Sequence, residues 1–144
     1  MKTLKDFGIC SEIFIWHYSE KLGNIIRMMC LGKMQYFYKD RLVAEYVFDI
    51  AKKRVYITQI GQELMDKPFG GTDSVSMKVF EDFLESRCFP KQRHGCKDLL
   101  RALELETYDP FAIVAKTYGR QWDDYYWLKY EGDETTYDSI KLRP

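Results

Sequence analysis

The residues able to do chemistry in this chain are few and poorly spaced for it. A nucleophile needs a base within hydrogen-bond reach, and histidine is the usual base. The chain has two histidines, His17 and His94, each embedded in ordinary structural sequence. It contains no Gly-Xaa-Ser-Xaa-Gly elbow, no His-Glu-Xaa-Xaa-His pair and no phosphate-cradling loop. Phe69-Gly70-Gly71-Thr72 is glycine-rich but lacks the following lysine of a P-loop, so it reads as a turn. Asp123-Asp124 is a carboxylate pair of the kind that holds a divalent ion, although adjacent acids ahead of a strand are ordinarily solvated. Cys88, His94 and Cys96 carry ligating atoms at a spacing that matches no zinc pattern. The four cysteines, Cys10, Cys30, Cys88 and Cys96, therefore read as reduced, buried thiols. The expectation is a protein with no enzymatic activity, no metal and no cofactor.

Two binding chemistries remain. Lys91, Arg93, Lys97 and Arg101, with Arg87 before them, form a local basic patch opposed only by Asp98. Overall, 22 basic residues balance 22 acidic ones, and non-specific nucleic-acid binding needs a cationic excess. The helix that would read a DNA groove, Pro110 to Gly119, offers only Lys116 and Thr117 for contacts. Nucleic acid is thus the weaker partner. Aromatics make up 16% of the chain, and Trp122, Tyr125, Tyr126, Trp127 and Tyr130 are more than one strand face can hide. Tryptophan, tyrosine and arginine dominate protein-binding hot spots, so a protein partner is the stronger expectation. Near-zero net charge also weakens colloidal repulsion and is compatible with a homo-oligomer.

The elements that position these residues follow from periodicity. A length of 144 residues suits one domain with a single core. Ile13–Tyr18, 24–31, Met34–Tyr38, Leu42–Ile50 and Arg54–Thr58 read as strands of an antiparallel meander, four or five in all, within a strand-rich half spanning 1–60. In Leu42–Ile50, Val43, Glu45, Val47 and Asp49 alternate with Ala44, Tyr46, Phe48 and Ile50, the pattern of a half-buried strand. Lys39-Asp40 and Lys52-Lys53 are the turns. Residues 66–73 form the densest breaker cluster, after which the period lengthens towards 3.6.

Val75, Val79, Phe80, Phe83 and Leu84 share one face of a first helix, capped by Asp73 or Ser74 and ending near Phe89-Pro90. Cys96, Leu99, Leu100 and Leu103 mark a second helix. Asp109-Pro110 opens a third, with Phe111, Val114, Ala115 and Tyr118 as its stripe and Gly119 as its stop. Tyr125–Tyr130 is a closing strand, so 74–130 is a helical half with a final strand, and 134–144 is a polar, loosely held tail. Strands, then helices, then a strand predict an α+β fold. The N-terminus lacks the apolar run and cleavage site of a secretory signal, and no stretch is long enough to span a bilayer, which predicts a cytoplasmic protein.

One family resemblance enters on Ser86-Arg87, Pro90, Arg93, Gly95, Leu99-Leu100, Tyr118-Gly119 and Asp124-Tyr125-Tyr126-Trp127-Leu128. Across residues 80–142 the chain resembles the segment that precedes the kinase domain in bacterial HipA-like kinases. After the glycine that family commonly carries a Leu-Ser-Leu-Ser-Asp type of run, where this chain has Arg120-Gln121-Trp122-Asp123-Asp124. The resemblance implies a standalone accessory domain, as in two-gene toxin–antitoxin kinase systems, and it carries over no catalytic residue. The matching residues also suggest a structural lock, with Arg87 and Arg93 pairing with Asp123 or Asp124 to tie helices to the sheet. On this reading Arg87, Arg93, Asp124, Trp122 and Trp127 are the structural or interaction residues. The function expected is a regulator or partner of a HipA-like kinase. The alternatives are a nucleic-acid regulator using the basic patch and a mobile-element inhibitor of a host defence protein.

Overall fold

A computed structural model describes residues 32–142. The strands expected at 13–18 and 24–31 lie outside the described residues, as do His17, Cys10 and Cys30.

The fold is α+β. Five antiparallel strands, β1 (Lys33–Tyr38), β2 (Arg41–Asp49), β3 (Arg54–Gln59), β4 (Ser74–Ser76) and β5 (Tyr126–Tyr130), form one sheet in the order β4-β3-β2-β1-β5. Lys39 and Lys53 sit in the two hairpin turns with φ of 54° and 55°, the left-handed region that lets a short turn match the strand twist. Helices α1 (Met77–Ser86), α2 (Cys96–Ala102) and α3 (Pro110–Thr117) follow, and α4 (Tyr137–Ile140) closes the described chain.

Period-two alternation selects the sheet face that is covered. Met34, Tyr36, Ala44, Tyr46, Val55 and Leu128 turn to one side and meet Phe80 and Leu84 of α1 and Phe111 and Val114 of α3. Phe80 is the aromatic hub: its ring lies 5.1 Å from Tyr46, 5.4 Å from Phe48 and 5.9 Å from Phe69. The opposite side of α3, Ala112 and Ile113, packs with Leu100 and Leu105 in a second cluster. Pro110–Val114 is therefore buried all round, which is why this short helix is so uniformly apolar.

Several boundaries differ from those read in the sequence. Ser74–Ser76 is a short strand on β3 rather than the first turn of a helix, because Val75 continues the covered face opposite Val55. The cap of α1 is Ser76, whose hydroxyl accepts from the Val79 N–H at 3.2 Å, not Asp73 or Ser74. That helix stops at Ser86, ahead of Phe89-Pro90. At α3 the Asp109 carboxylate accepts from the Phe111 N–H at 3.1 Å and Pro110 takes the first position. The stop begins one residue early: Tyr118 at φ 61° is already left-handed, and Gly119 follows at φ 59°. The tail holds structure as well, since Arg120 donates to the Ile140 carbonyl through its guanidinium and Tyr118 and Thr135 share a hydroxyl hydrogen bond of 3.0 Å.

Gly119 is where α3 turns back to run beside β5. A Cβ there would stand 2.8 Å from Leu128 Cδ1 and 3.4 Å from Arg87 Cβ, on a backbone that side chains disfavour. Gly119→Ala is expected to cost roughly 1–3 kcal/mol, read as a lower urea midpoint at unchanged slope. An unchanged midpoint would contradict the close approach of this turn to Leu128.

Candidate functional site

Two buried charges, contributed by segments distant in sequence, converge on the first residue of β5. Asp66 ends the 3-10 turn Leu64–Asp66 in the β3–β4 connection and is 0% exposed. Its carboxylate accepts from the Tyr126 hydroxyl at 2.6 Å, from Arg41 Nη1 at 3.2 Å and from the Glu63 N–H at 3.3 Å. Burial alone would raise its pKa, but these hydrogen bonds outweigh burial and hold it below the ordinary carboxylate range. Gln59 completes the clamp: its side-chain amide reaches the Val43, Gly61 and Asp66 carbonyls at 3.1, 3.1 and 2.9 Å. Gly61 leaves room for this, since a Cβ there would overlap the Asp66 carboxylate.

Arg87, the C-terminal cap of α1, is the second charge. Its guanidinium forks onto Asp124 at 2.8 and 3.0 Å, and it also donates to the Gly119 carbonyl at 2.9 Å and the Tyr126 carbonyl at 2.8 Å. Asp124 in turn accepts from the Tyr126 N–H at 3.0 Å. Tyr126 thus touches both clusters, through its hydroxyl on one side and its backbone on the other. Tyr36 lies between them, its ring stacked 5.1 Å from that of Tyr126. Burial pushes the Tyr36 phenol up to about 12; Arg87 opposes the rise, and Asp124 and Asp66 add to it.

The other residues singled out in the sequence are not brought together here. Arg93 is exposed and, among the described residues, forms no ion pair with Asp123 or Asp124; the lock uses Arg87 and Asp124 alone. Asp123 is exposed. Trp127 is 2% exposed, stacks 4.9 Å from Phe37 and donates its indole N–H to the Lys39 carbonyl at 2.7 Å, so it has no surface to offer a partner. Trp122, in contrast, is 64% exposed.

Lys91, Arg93, Lys97 and Arg101 are all exposed, and Arg101 is partly neutralised by Asp98 at 2.9 Å. The burial of α3 in the core rules it out as a groove-reading helix beside that patch. The Cys88 thiol donates to the Leu84 carbonyl at 3.1 Å, and burial pushes it up to about 12, the reverse of what a thiolate ligand requires. No group of three or more His, Cys, Asp or Glu side chains that could hold a metal ion forms among the described residues. No helix among them is long and apolar enough to cross a membrane.

The clamp on Asp66 has a surface consequence. It fixes the 3-10 turn so that Leu64 and Met65, 84% and 70% exposed, project beside α1. Between this turn and α1 runs an open groove of about 650 Å³ floored by Tyr36, Phe69 and Phe83, with exposed Val79 on the helix wall. Sequence reasoning passed over Leu64-Met65. The available signal was two large apolar residues standing between Gln62-Glu63 and Asp66-Lys67-Pro68, outside any periodic run. Compared with known proteins, the chain matches no family model, no curated protein and no solved structure.

Asp66→Asn should destabilise the protein by roughly 1–3 kcal/mol near neutral pH, the cost of breaking a buried charged hydrogen-bond set. Because the folded-state pKa of Asp66 is depressed, its contribution is present above the unfolded value of about 3.9 and is lost as pH falls through the folded value. The gap between wild type and Asp66→Asn in urea melts should therefore narrow below about pH 4. A gap independent of pH would contradict an ionised Asp66.

Proposed function

We propose that this chain is a non-catalytic protein-docking module whose docking site is the groove between the Leu64–Asp66 turn and α1, and that it serves as accessory partner or regulator of a HipA-like kinase. One observation carries the docking reading: two large apolar side chains are displayed on a turn that is pinned by a buried carboxylate. An apolar residue on a loose loop folds back or fluctuates. Leu64 and Met65 are instead held out by the Asp66 and Gln59 hydrogen bonds, over an aromatic floor. Pre-ordering of this kind lowers the entropy a complex must overcome, and an apolar anchor set beside a pocket is the usual composition of a hot spot.

The kinase reading draws on the sequence resemblance. Arg87, Gly119, Asp124 and Tyr126, which fall within its matching residues, are the ones that make the lock under the groove. The shared pattern therefore supports a shared framework, and the partner is assigned from the family it resembles. The basic patch on and before α2 is exposed, and Lys97 and Arg101 border an open hollow of about 500 Å³ with Leu100 and Leu105, but no large apolar side chain is displayed there.

The test is co-elution with a HipA-like kinase encoded beside this chain, for wild type and for the double variant Leu64→Glu/Met65→Glu. Both side chains are exposed, so the melting temperature should stay within a degree or two while affinity for the kinase falls by at least about tenfold. Equal binding by the variant would remove the groove from the reading; an intact groove with no kinase binding would remove the kinase.

A further inference from the structure

We infer that the Arg87 end of the groove is a subsite for an uncharged amide, whose carbonyl oxygen accepts from Tyr36 and Arg87 while the apolar group beside it lies against Phe69 and Phe83. This rests on the docking reading above and deepens it. Helical and extended occupants can meet the requirement equally, since it concerns one delivered group and not the backbone that delivers it.

Two donors on the groove lining lack acceptors. Tyr108, Tyr118 and Tyr126 each engage their hydroxyl, with the Phe89 carbonyl, Thr135 and Asp66 respectively. Tyr36, on the groove floor and 3% exposed, has no hydrogen-bond partner for its hydroxyl among the described residues. Arg87 lines the same groove and is 8% exposed. A guanidinium carries five N–H donors. Nε is spent on Gly119, Nη1 and Nη2 each give one to Asp124, and Nη2 gives its other to the Tyr126 carbonyl. The second Nη1 N–H has no acceptor among the described residues. The guanidinium also opposes the rise in the Tyr36 phenol's pKa, so the two groups are close neighbours. Unpaired buried donors are costly, and one carbonyl oxygen, with two lone pairs, can accept from both.

Local charge decides which oxygen fits. Arg87 is already matched by Asp124 at 2.8 Å, and Arg41 matches Asp66 at 3.2 Å. Both carboxylates act on the Tyr36 phenol and push its pKa up. A ligand carboxylate placed there would be a third negative charge with no cation left to balance it. An amide brings the same acceptor without the charge.

Gln121 supplies the complement. It lines the groove and donates from its side chain to the Ser86 carbonyl at 2.6 Å, which leaves its Oε1 to accept from an amide N–H. A ketone or ester would leave that acceptor unused. The opposite side, with Leu64, Met65 and Phe69, is apolar, so the amide and the group attached to it have separate places. An asparagine or glutamine side chain of the partner carries this chemistry, and so does a main-chain peptide group beside a large apolar residue.

The experiment titrates four probes into the isotope-labelled protein and follows the backbone amides of Phe83, Ser86 and Arg87 by NMR. The probes are 3-phenylpropanamide, N-acetylphenylalanine methylamide, 3-phenylpropanoate and propylbenzene, each added to wild type, Tyr36→Phe and Leu64→Glu/Met65→Glu. Tyr36→Phe should melt within about two degrees of wild type, because the hydroxyl it removes is bonded to nothing in the fold. At least one amide should bind Tyr36→Phe about three- to tenfold more weakly than wild type, with propylbenzene unchanged and the carboxylate weaker than either amide. Preference for the first amide points to an Asn or Gln side chain as the source, and preference for the second to a main-chain peptide group. Amide binding indifferent to Tyr36→Phe, tighter binding of the carboxylate, or a large drop in the melting temperature of Tyr36→Phe overturns this inference and leaves the groove as a docking site. Failure of every probe to shift these amides, or binding unchanged by Leu64→Glu/Met65→Glu, overturns the docking reading itself.

Discussion

The arrangement of this domain depends on Tyr126 standing between two buried charges. Its hydroxyl closes the shell of Asp66, and its main-chain N–H and C=O bind Asp124 and Arg87. Three segments that share no secondary structure are joined at this one residue: the β3–β4 connection, the end of α1, and the return from α3 into β5. Buried ions of this kind add little net stability compared with a well-packed apolar core, because desolvating them is expensive. Their effect is directional. Once the charges are buried, each must keep its partners, so the segments carrying them have one low-energy placement relative to the sheet.

That constraint gives a polar connection a fixed surface. Residues 60–69 form no long regular element and contribute few residues to the main core, so apolar packing alone would leave them poorly held. Asp66 and Gln59 supply the missing constraint from beneath. With the turn fixed, α1 and the turn become two stable walls over Tyr36, Phe69 and Phe83, and the exposed Leu64 and Met65 acquire a defined direction. The rings below are themselves interlocked, with Phe69 5.1 Å from Phe83 and Tyr36 5.5 Å from Phe83, so the floor is as well ordered as the walls. The stability of the fold and the proposed docking surface are connected through Tyr126 rather than assigned to separate parts of the molecule.

The sequence revealed most where the chain obeys local rules. Lys39-Asp40 and Lys52-Lys53 are turns because alternating strands flank them, and Asp109-Pro110 opens α3 because both residues suit a helix start. The segregation of strands from helices was sufficient for the α+β class. Legibility ended where a residue's role depends on what lies across the fold. Ser74–Ser76 is too short to show alternation and becomes a strand only because β3 is beside it. Arg93 shares the charge and neighbourhood of Arg87, yet only Arg87 is delivered to Asp124, because it caps the helix that packs on the sheet. Asp66 stands among breakers and has every local mark of a solvated loop acid, but a tyrosine 60 positions away decides otherwise. The groove was invisible for the same reason, being made by that long-range bond.

Amide hydrogen exchange tests the central claim most directly. The Gly61 N–H bonds the Val43 carbonyl at 2.9 Å, the Asp66 N–H bonds the Glu63 carbonyl at 3.0 Å, and the Glu63 N–H bonds the Asp66 carboxylate at 3.3 Å, all in a segment that by sequence is a loop. If the Asp66–Tyr126 clamp holds this segment, these three amides exchange only in the opening that also releases the Leu128 N–H from the Tyr118 carbonyl, and a Tyr126→Phe substitution speeds all three selectively. Exchange at the rate of an unprotected loop in the wild-type protein, unaffected by Tyr126→Phe, would contradict the account.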